Sequence, residues 1–375
     1  MRVLLVTWTE KLLEKLSTLS PELEYCAIVT DESEVARKLL EPFGFPKNLI
    51  YPLYDLKECV RDFYYDYVLC VGNGWERNLI MSVQKYGVPK DKIVGFSLPY
   101  KTNFVLERNL RYFKEHAADF DMFATGISYF RGNLDVTYFK KKLFNFAIPS
   151  QDLYYNFQVA KHTVIYGGGH NGIRNALIGL APYSFHYDLS KTINNSFSLL
   201  FYLIAFDDLH NFHVPADVYK KFFRTKYLSK RLSLESVDVT VPFGSKNSLT
   251  FMMPKHRLAN REIADEWSEK NYPETRAENV KILDEYLTLC EETNIRPIMI
   301  LSPLSEGYRK HFSKQKLNEF YYLVEQACKK HTSAIFIDGW KLQGVIDADF
   351  RDYGHMNTQG AAKFSAFLND FIESL

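Results

Sequence analysis

Asp352 and His355 lie three residues apart near the C-terminal end of the chain, in Asp352-Tyr353-Gly354-His355-Met356-Asn357. That spacing lets one short turn present a carboxylate and an imidazole together. The carboxylate then fixes the ring in one tautomer and leaves its second nitrogen to face a nucleophile. A matching serine stands at position 128. Residues 119–125 (Asp-Phe-Asp-Met-Phe-Ala-Thr) have strand character, and Gly126-Ile127-Ser128-Tyr129 follows directly. A small residue and then Ser at a strand end is where a hydroxyl is exposed and its backbone N–H can face an oxyanion. The chemistry would be nucleophilic acyl transfer, with Ser128 attacking, His355 taking its proton and Asp352 stabilising the imidazolium. Taken singly, Gly-x-Ser after a strand reads as a turn, and Asp-x-x-His as a helix cap beside a surface histidine. The two together, in this order and each at a strand end, point to the site.

Such residues need a scaffold that brings distant strand ends together. Residues 142–148 lead into Pro149-Ser150-Gln151-Asp152, and 175–180 into Ala181-Pro182-Tyr183-Ser184-Phe185. Residues 298–301 precede Ser302-Pro303-Leu304-Ser305, and 334–337 precede Asp338 and the Asp352/His355 loop. An amphipathic helix containing Gly360 and Ala361 closes the chain. In an open parallel sheet, ligands bind at the carboxyl ends of the strands, and every polar cluster named here falls at such an end. Ser150 and Asp152 read as an N-cap pair for a helix over 153–159. Ser150 and Gln151 also stand where an oxyanion or substrate donor is expected. Tyr183, Ser184, Phe185 and Tyr187 read as a pocket wall, and Tyr183, Ser184 and Asn357 join the candidate substrate contacts.

On these blocks, residues from about 115 to 375 resemble the SGNH-type hydrolases, the GDSL esterase and acyltransferase superfamily. The order is an early Ser block, two middle blocks and a terminal Asp-x-x-His block (Asp352, His355, Asn357, Gly360, Ala361). Three departures stand out. Ile127 replaces the Asp of the Gly-Asp-Ser form, Ser150 stands near the second-block Gly, and no third-block Asn is found near Pro182-Tyr183. The resemblance implies Ser128 as nucleophile, His355 as base and Asp352 as orienting acid. It further implies an acyl ester hydrolase or an O-acyltransferase, with O-acetyl the expected group and a carbohydrate or surface-glycan precursor the expected substrate. No cofactor is required, and a transferase would use acetyl-CoA as donor.

Residues 1–100 form a unit of their own. Strand-like runs at 2–7, 25–30, 48–51, 67–72 and 92–97 alternate with helical stretches at 10–16, 34–40, 56–63 and 76–86. That alternation predicts a small doubly wound βα domain. It resembles the Rossmann-like N-terminal domains attached to bacterial surface-polysaccharide enzymes. Its first turn, Thr7-Trp8-Thr9-Glu10, lacks the Gly-rich phosphate loop that a dinucleotide needs. Residues 101–118 read as a linking helix. The expected fold class is therefore α/β: two three-layer βα domains with parallel sheets, 1–100 and 119–375. Residues 191–277 read as a largely helical insertion in the second domain, with a strand-like patch at 236–242 and a turn at 244–247. Insertions of this kind usually make a lid or substrate site. Gly167–Gly172 fits GxGxxG but lacks the strand–loop–helix setting the motif needs. His210 and His213, with Asp207 and Asp208, read as surface or interface residues, so no metal site is expected.

Composition agrees with a multi-element enzyme. Of 375 residues, 46% are hydrophobic and 15% aromatic, enough for two large cores. The net charge of +1 gives no global field for nucleic acid. Five cysteines at long, irregular spacing match neither a disulfide framework nor a zinc pattern, as in a reducing compartment. The start lacks the features of an export signal, and the longest apolar run, 197–206, is half the ~20 residues a membrane helix requires. A cytoplasmic protein is expected, with oligomer formation left open. A second function class, a non-catalytic glycan-pathway binding or scaffold protein on a degenerate hydrolase fold, competes with the enzyme.

Overall fold

The computed structural model describes residues 1–72, 76–97, 105–167, 172–192, 195–224 and 261–375. Contacts divide the chain into two units, Met1–Val105 with Leu189–Val237, and Leu106–Asp188 with Asp238–Leu375.

The first unit is built on β1 (Arg2–Thr7), β2 (Glu24–Thr30), β3 (Ile50–Pro52), β4 (Tyr67–Gly72) and β5 (Ile93–Ser97). All pairings are parallel, in spatial order β3-β2-β1-β4-β5. The strands read as continuous apolar runs because both faces are covered: Val3, Leu4, Leu5 and Val6 are fully buried. The helices Leu12–Thr18, Ser33–Leu40, Leu56–Asp62 and Glu76–Lys85 lie between them in sequence. In Ser33–Leu40, for example, Ala36 and Leu40 are buried four residues apart while Glu34 and Lys38 face outward.

The segment read as an insertion, 191–277, is divided between the units. Its part up to Arg224 packs within the first unit. The helix Asn195–Phe206 lies against β5, and Leu19 bridges Phe223 in antiparallel fashion. Ser20 N–H donates to the Phe222 carbonyl at 2.9 Å. The helix Arg261–Glu269 belongs to the second unit. The expected strand at 236–242 and turn at 244–247 lie outside the described residues.

The second unit carries β6 (Met122–Thr125), β7 (Leu143–Asn145), β8 (Asn175–Leu180), β9 (Arg296–Leu301) and β10 (Ile335–Asp338). These are parallel as well, in spatial order β10-β9-β8-β6-β7. The chain winds outward in one direction from β6 to β7, then returns to place β8 on the other side of β6. The order reverses between β6 and β8, and in open α/β sheets ligands bind outside the carboxyl ends of the strands at such a reversal. One face of the sheet, with Met122, Ala124, Leu177, Ile298 and Ile300, is covered by Phe364, Leu368 and Ile372 of the last helix, Thr358–Glu373. Residues 162–166 continue the helix Leu153–Gly167, so the glycine run that follows is preceded by a helix, not a strand. Among the described residues no helix is long and apolar enough to cross a membrane.

Candidate active site

The carboxyl end of β6 is shaped first by glycine. Strand β6 ends at Thr125, and the helix Ser128–Asn133 begins three residues later. So abrupt a turn requires the helix to sit close on the sheet. The Phe130 side chain fills the space that a Cβ on Gly179 of β8 would take, 2.3 Å from its Cγ. A Cβ on Gly126 would lie 2.8 Å from Phe130 Cβ. Phe130 is thereby fully buried, and Ser128 becomes the half-buried first residue of the helix at the end of β6. Neither its hydroxyl nor its N–H has a hydrogen-bond partner among the described residues, and first-turn N–H groups have no intrahelical partner.

The histidine loop is locked from within. His355 Nδ1 lies 2.9 and 3.0 Å from the two carboxylate oxygens of Asp352. Asp352 Oδ1 also accepts the backbone N–H groups of Gly354 at 3.0 Å and His355 at 2.8 Å. Arg351 N–H donates to the His355 carbonyl, closing the hairpin. Burial of Asp352 works against its charge. The hydrogen bond and charge of His355, with the two backbone donors, outweigh burial and hold its pKa below the ordinary value. In a neutral ring held this way, Nδ1–H faces the carboxylate and Nε2 is the acceptor.

The opposite edge of the ring rests on the serine's helix. A Cβ on Gly132 would stand 3.3 Å from His355 Cδ2. Gly132 is four residues beyond Ser128, hence one turn along the same face. No Ser128–His355 hydrogen bond is formed; what stands over Gly132 is the Cδ2 corner of the ring, with His355 Cβ 3.9 Å from the same point.

Asn133, fully buried, clasps the two elements. Its Oδ1 accepts Met356 N–H at 2.8 Å, and its Nδ2 lies 3.3 Å from the carbonyls of both Gly354 and Pro303. Tyr129 packs beside it, its ring centroid 5.2 Å from that of His355. Gly354 is required here, because a Cβ would fall 2.2 Å from Tyr129 Cε1.

Tyr129 belongs to a phenol cluster that sequence reasoning missed. Tyr308 and Tyr353 have ring centroids 4.6 Å apart, and Tyr129 and Tyr353 6.2 Å. Tyr183 stacks on Trp267 at 3.9 Å. Burial, and then the neighbouring phenols, push the pKa of Tyr129 and Tyr308 far up, so both stay neutral donors. The Tyr308 hydroxyl is buried.

The remaining predicted contacts are distributed unevenly. Tyr183 joins the phenol cluster next to Ser128. Its loop is stapled by Asn279, whose Nδ2 donates to the carbonyls of Ser184, Phe185 and Tyr187. Ser184 Oγ closes its own turn on Ala181 N–H at 2.9 Å. Ser150 takes a left-handed conformation, φ 63°, and its carbonyl accepts the Tyr187 hydroxyl. The Gln151 amide donates to Asn156 Oδ1 at 2.7 Å. Asp152 is the helix cap, accepting Tyr155 N–H at 3.0 Å. Asn357 is committed at both ends of its side chain, accepting Gly360 N–H as the cap of the last helix and donating to the Ala348 carbonyl. Nothing in the spacing of Asn133, Gly132, Tyr308 or Tyr353 singled them out; only Gly354, between Asp352 and His355, marked a close approach.

No protein-family model matches the chain, and no curated protein sequence does.

Proposed function

We propose that the chain is a serine-dependent acyl ester hydrolase or O-acyltransferase of the SGNH type, acting on an O-acylated carbohydrate or glycan precursor. The observation that carries the reading is the Asp352–His355 pair, bonded at 2.9 and 3.0 Å, with the imidazole Cδ2 against Gly132 of the helix that Ser128 opens. In this reading Ser128 Oγ rotates toward Nε2, gives up its proton and attacks the acyl carbonyl. Asp352 stabilises the imidazolium, and the unengaged Ser128 N–H faces the oxyanion. His355 then returns the proton to the departing oxygen. Water or a sugar hydroxyl resolves the acyl-enzyme. The stacked Tyr183–Trp267 pair and the phenol hydroxyls supply the aromatic faces and donors that suit a sugar ring. The test is fluorophosphonate labelling and p-nitrophenyl acetate turnover in wild type and Ser128→Ala. Loss of both in the variant is expected; equal labelling and turnover would end the nucleophile assignment and favour a binding protein on the same fold.

A further inference from the structure

The helix Arg261–Glu269 lays Trp267 on Tyr183, with ring centroids 3.9 Å apart and planes 13° from parallel. The Tyr183 hydroxyl is hydrogen-bonded to that of Tyr129, which follows Ser128 in sequence and whose ring centroid is 5.2 Å from that of His355. Trp267 thus covers the face of Tyr183 on which a ligand ring would stack. The Lys270 ammonium stands 3.7 Å from the centroid of the Trp267 ring. Little apolar burial keeps the helix in place, since Ala264 is its one fully buried residue. Hydrogen bonds at its end tie it down. Ser268 Oγ accepts Ser313 N–H at 2.9 Å, and the Lys270 carbonyl accepts the Lys316 ammonium at 2.7 Å. Tyr272 N–H donates to His186 Nδ1 at 3.0 Å.

The last of these ties depends on a proton. A backbone N–H can only donate, so Nδ1 is the bare nitrogen of His186, and Nε2, 2.7 Å from Glu319 Oε2, carries the hydrogen. A second proton can enter only at Nδ1, where it faces the Tyr272 donor and ends the bond. The surrounding charges oppose that proton while the tie holds. Glu319 is the carboxylate facing the ring, but it is shared with Arg276 and with Lys316 at 3.5 Å. Burial first, against the hydrogen bond to Glu319 and with the help of Lys316 and Arg276, holds the His186 pKa below its ordinary 6.5. Glu319 itself, at about 2, stays charged throughout that range. The tied form therefore binds fewer protons than a form in which the ring meets water. It is favoured above pH 6.5 and weakens as the pH falls below that value.

We infer that residues 261–272 form a lid on the candidate site, shut by Trp267 on Tyr183 and released when His186 takes a second proton. The inference rests on the acyl-transfer reading only for what the lid covers: release bares the Tyr183 face for the sugar ring of the substrate. His355 would also gain a proton in acid, so turnover is not the readout that decides.

Two measurements test the lid at about pH 7.5 and 5.0, on wild type, His186→Asn and His186→Gln. Asn offers an amide oxygen in place of Nδ1 and does not titrate. Gln reaches toward Glu319 and leaves Tyr272 N–H without its acceptor. The first measurement is hydrogen exchange at the Tyr272 amide, expressed as protection relative to the intrinsic rate at each pH. In wild type, protection should fall by about threefold to 30-fold at the lower pH, the larger figure being the limit in which the tied form takes no second proton. In His186→Asn it should be the same at both pH values, and in His186→Gln low at both. The second is acrylamide quenching of Trp267, taken as the difference between each protein and its Trp267→Phe counterpart. Quenching should rise in the same proteins and at the same pH as protection falls. Unchanged protection in wild type, an equal fall in His186→Asn, or constant quenching while protection falls would overturn the lid. Should His186→Gln fail to fold, wild type and His186→Asn still decide. Release seen in both measurements without ester turnover at any pH would uphold the lid and fault the acyl-transfer reading alone.

Discussion

Replacing Asn133 with alanine should separate the serine's helix from the histidine loop. The side chain is fully buried and makes three contacts, at 2.8 Å to Met356 N–H and 3.3 Å to the Gly354 and Pro303 carbonyls. Alanine leaves the Met356 N–H without its partner in a dry site, a loss of about 1–3 kcal/mol. The two longer contacts add less, for a total of about 2–4 kcal/mol. A domain of ordinary stability, about 5–15 kcal/mol, survives that loss. The catalytic effect should be larger than the stability effect suggests. The clasp holds the residues on either side of His355 against the helix of Ser128, and a misplacement of about 1 Å costs on the order of 100-fold in rate. Urea denaturation and p-nitrophenyl acetate turnover, measured on the same preparation, check both numbers. Asn133→Asp serves as a control: it keeps the acceptor for Met356 N–H but turns a carboxylate toward two carbonyls, so it should be no better than alanine. A folded Asn133→Ala variant with unchanged stability and turnover within twofold of wild type would refute the reasoning. Lower stability with undiminished turnover would limit the clasp to the fold.

Further outcomes follow from other contacts. Ser128→Ala and His355→Ala should each abolish ester turnover, and the double variant should lose little more, since the pair acts as a unit. Asp352→Asn should fall comparably or less, read in the same assay. Gly132→Ala should lower turnover about tenfold or more with less than about 1 kcal/mol change in stability, because its methyl would meet His355 Cδ2 at 3.3 Å and push on the ring that, in the proposed acyl transfer, takes the proton. In Glu319, burial alone would raise the pKa, but hydrogen bonds from Arg276 and His186 bring it down to about 2. Its folded value is thus below the unfolded 4.5, and its stabilisation, present above 4.5, is lost as pH falls toward 2. Glu319→Gln should flatten the acid limb of a melting-temperature profile in that window. In Lys15 burial, against the attraction of Glu10 and Asp31, lowers the pKa to about 8. The folded state then binds fewer protons than the unfolded one between pH 8 and 10.5, so stability should rise with pH through that window, and Lys15→Met should remove the rise.

The sequence by itself determined the elements and the local half of the site. Runs such as Val3-Leu4-Leu5-Val6, bounded by charged helical stretches, could bury only as parallel strands covered on both faces, and the ten strands among the described residues lie within three residues of where the apolar pattern ends them. Asp352 and His355 were legible because three residues of backbone suffice to join them, and their bond needs nothing from the rest of the chain. Asp152 as a cap was legible for the same reason. Tertiary structure decided what depends on distant neighbours. Asn133 meets partners 170 to 223 residues away and looks in sequence like any polar helix residue. Four tyrosines from four separate segments gather only after β8 and β9 are laid beside β6. The stretch up to Arg224 reads as part of the region that interrupts the second sheet, yet it pairs with Leu19 of the first unit, because an edge's choice of partner is made by shape and not by composition. Whether Gly132 is a spacer or a turn residue likewise depended on the ring that came to rest against it, and no local pattern carries the position of that ring.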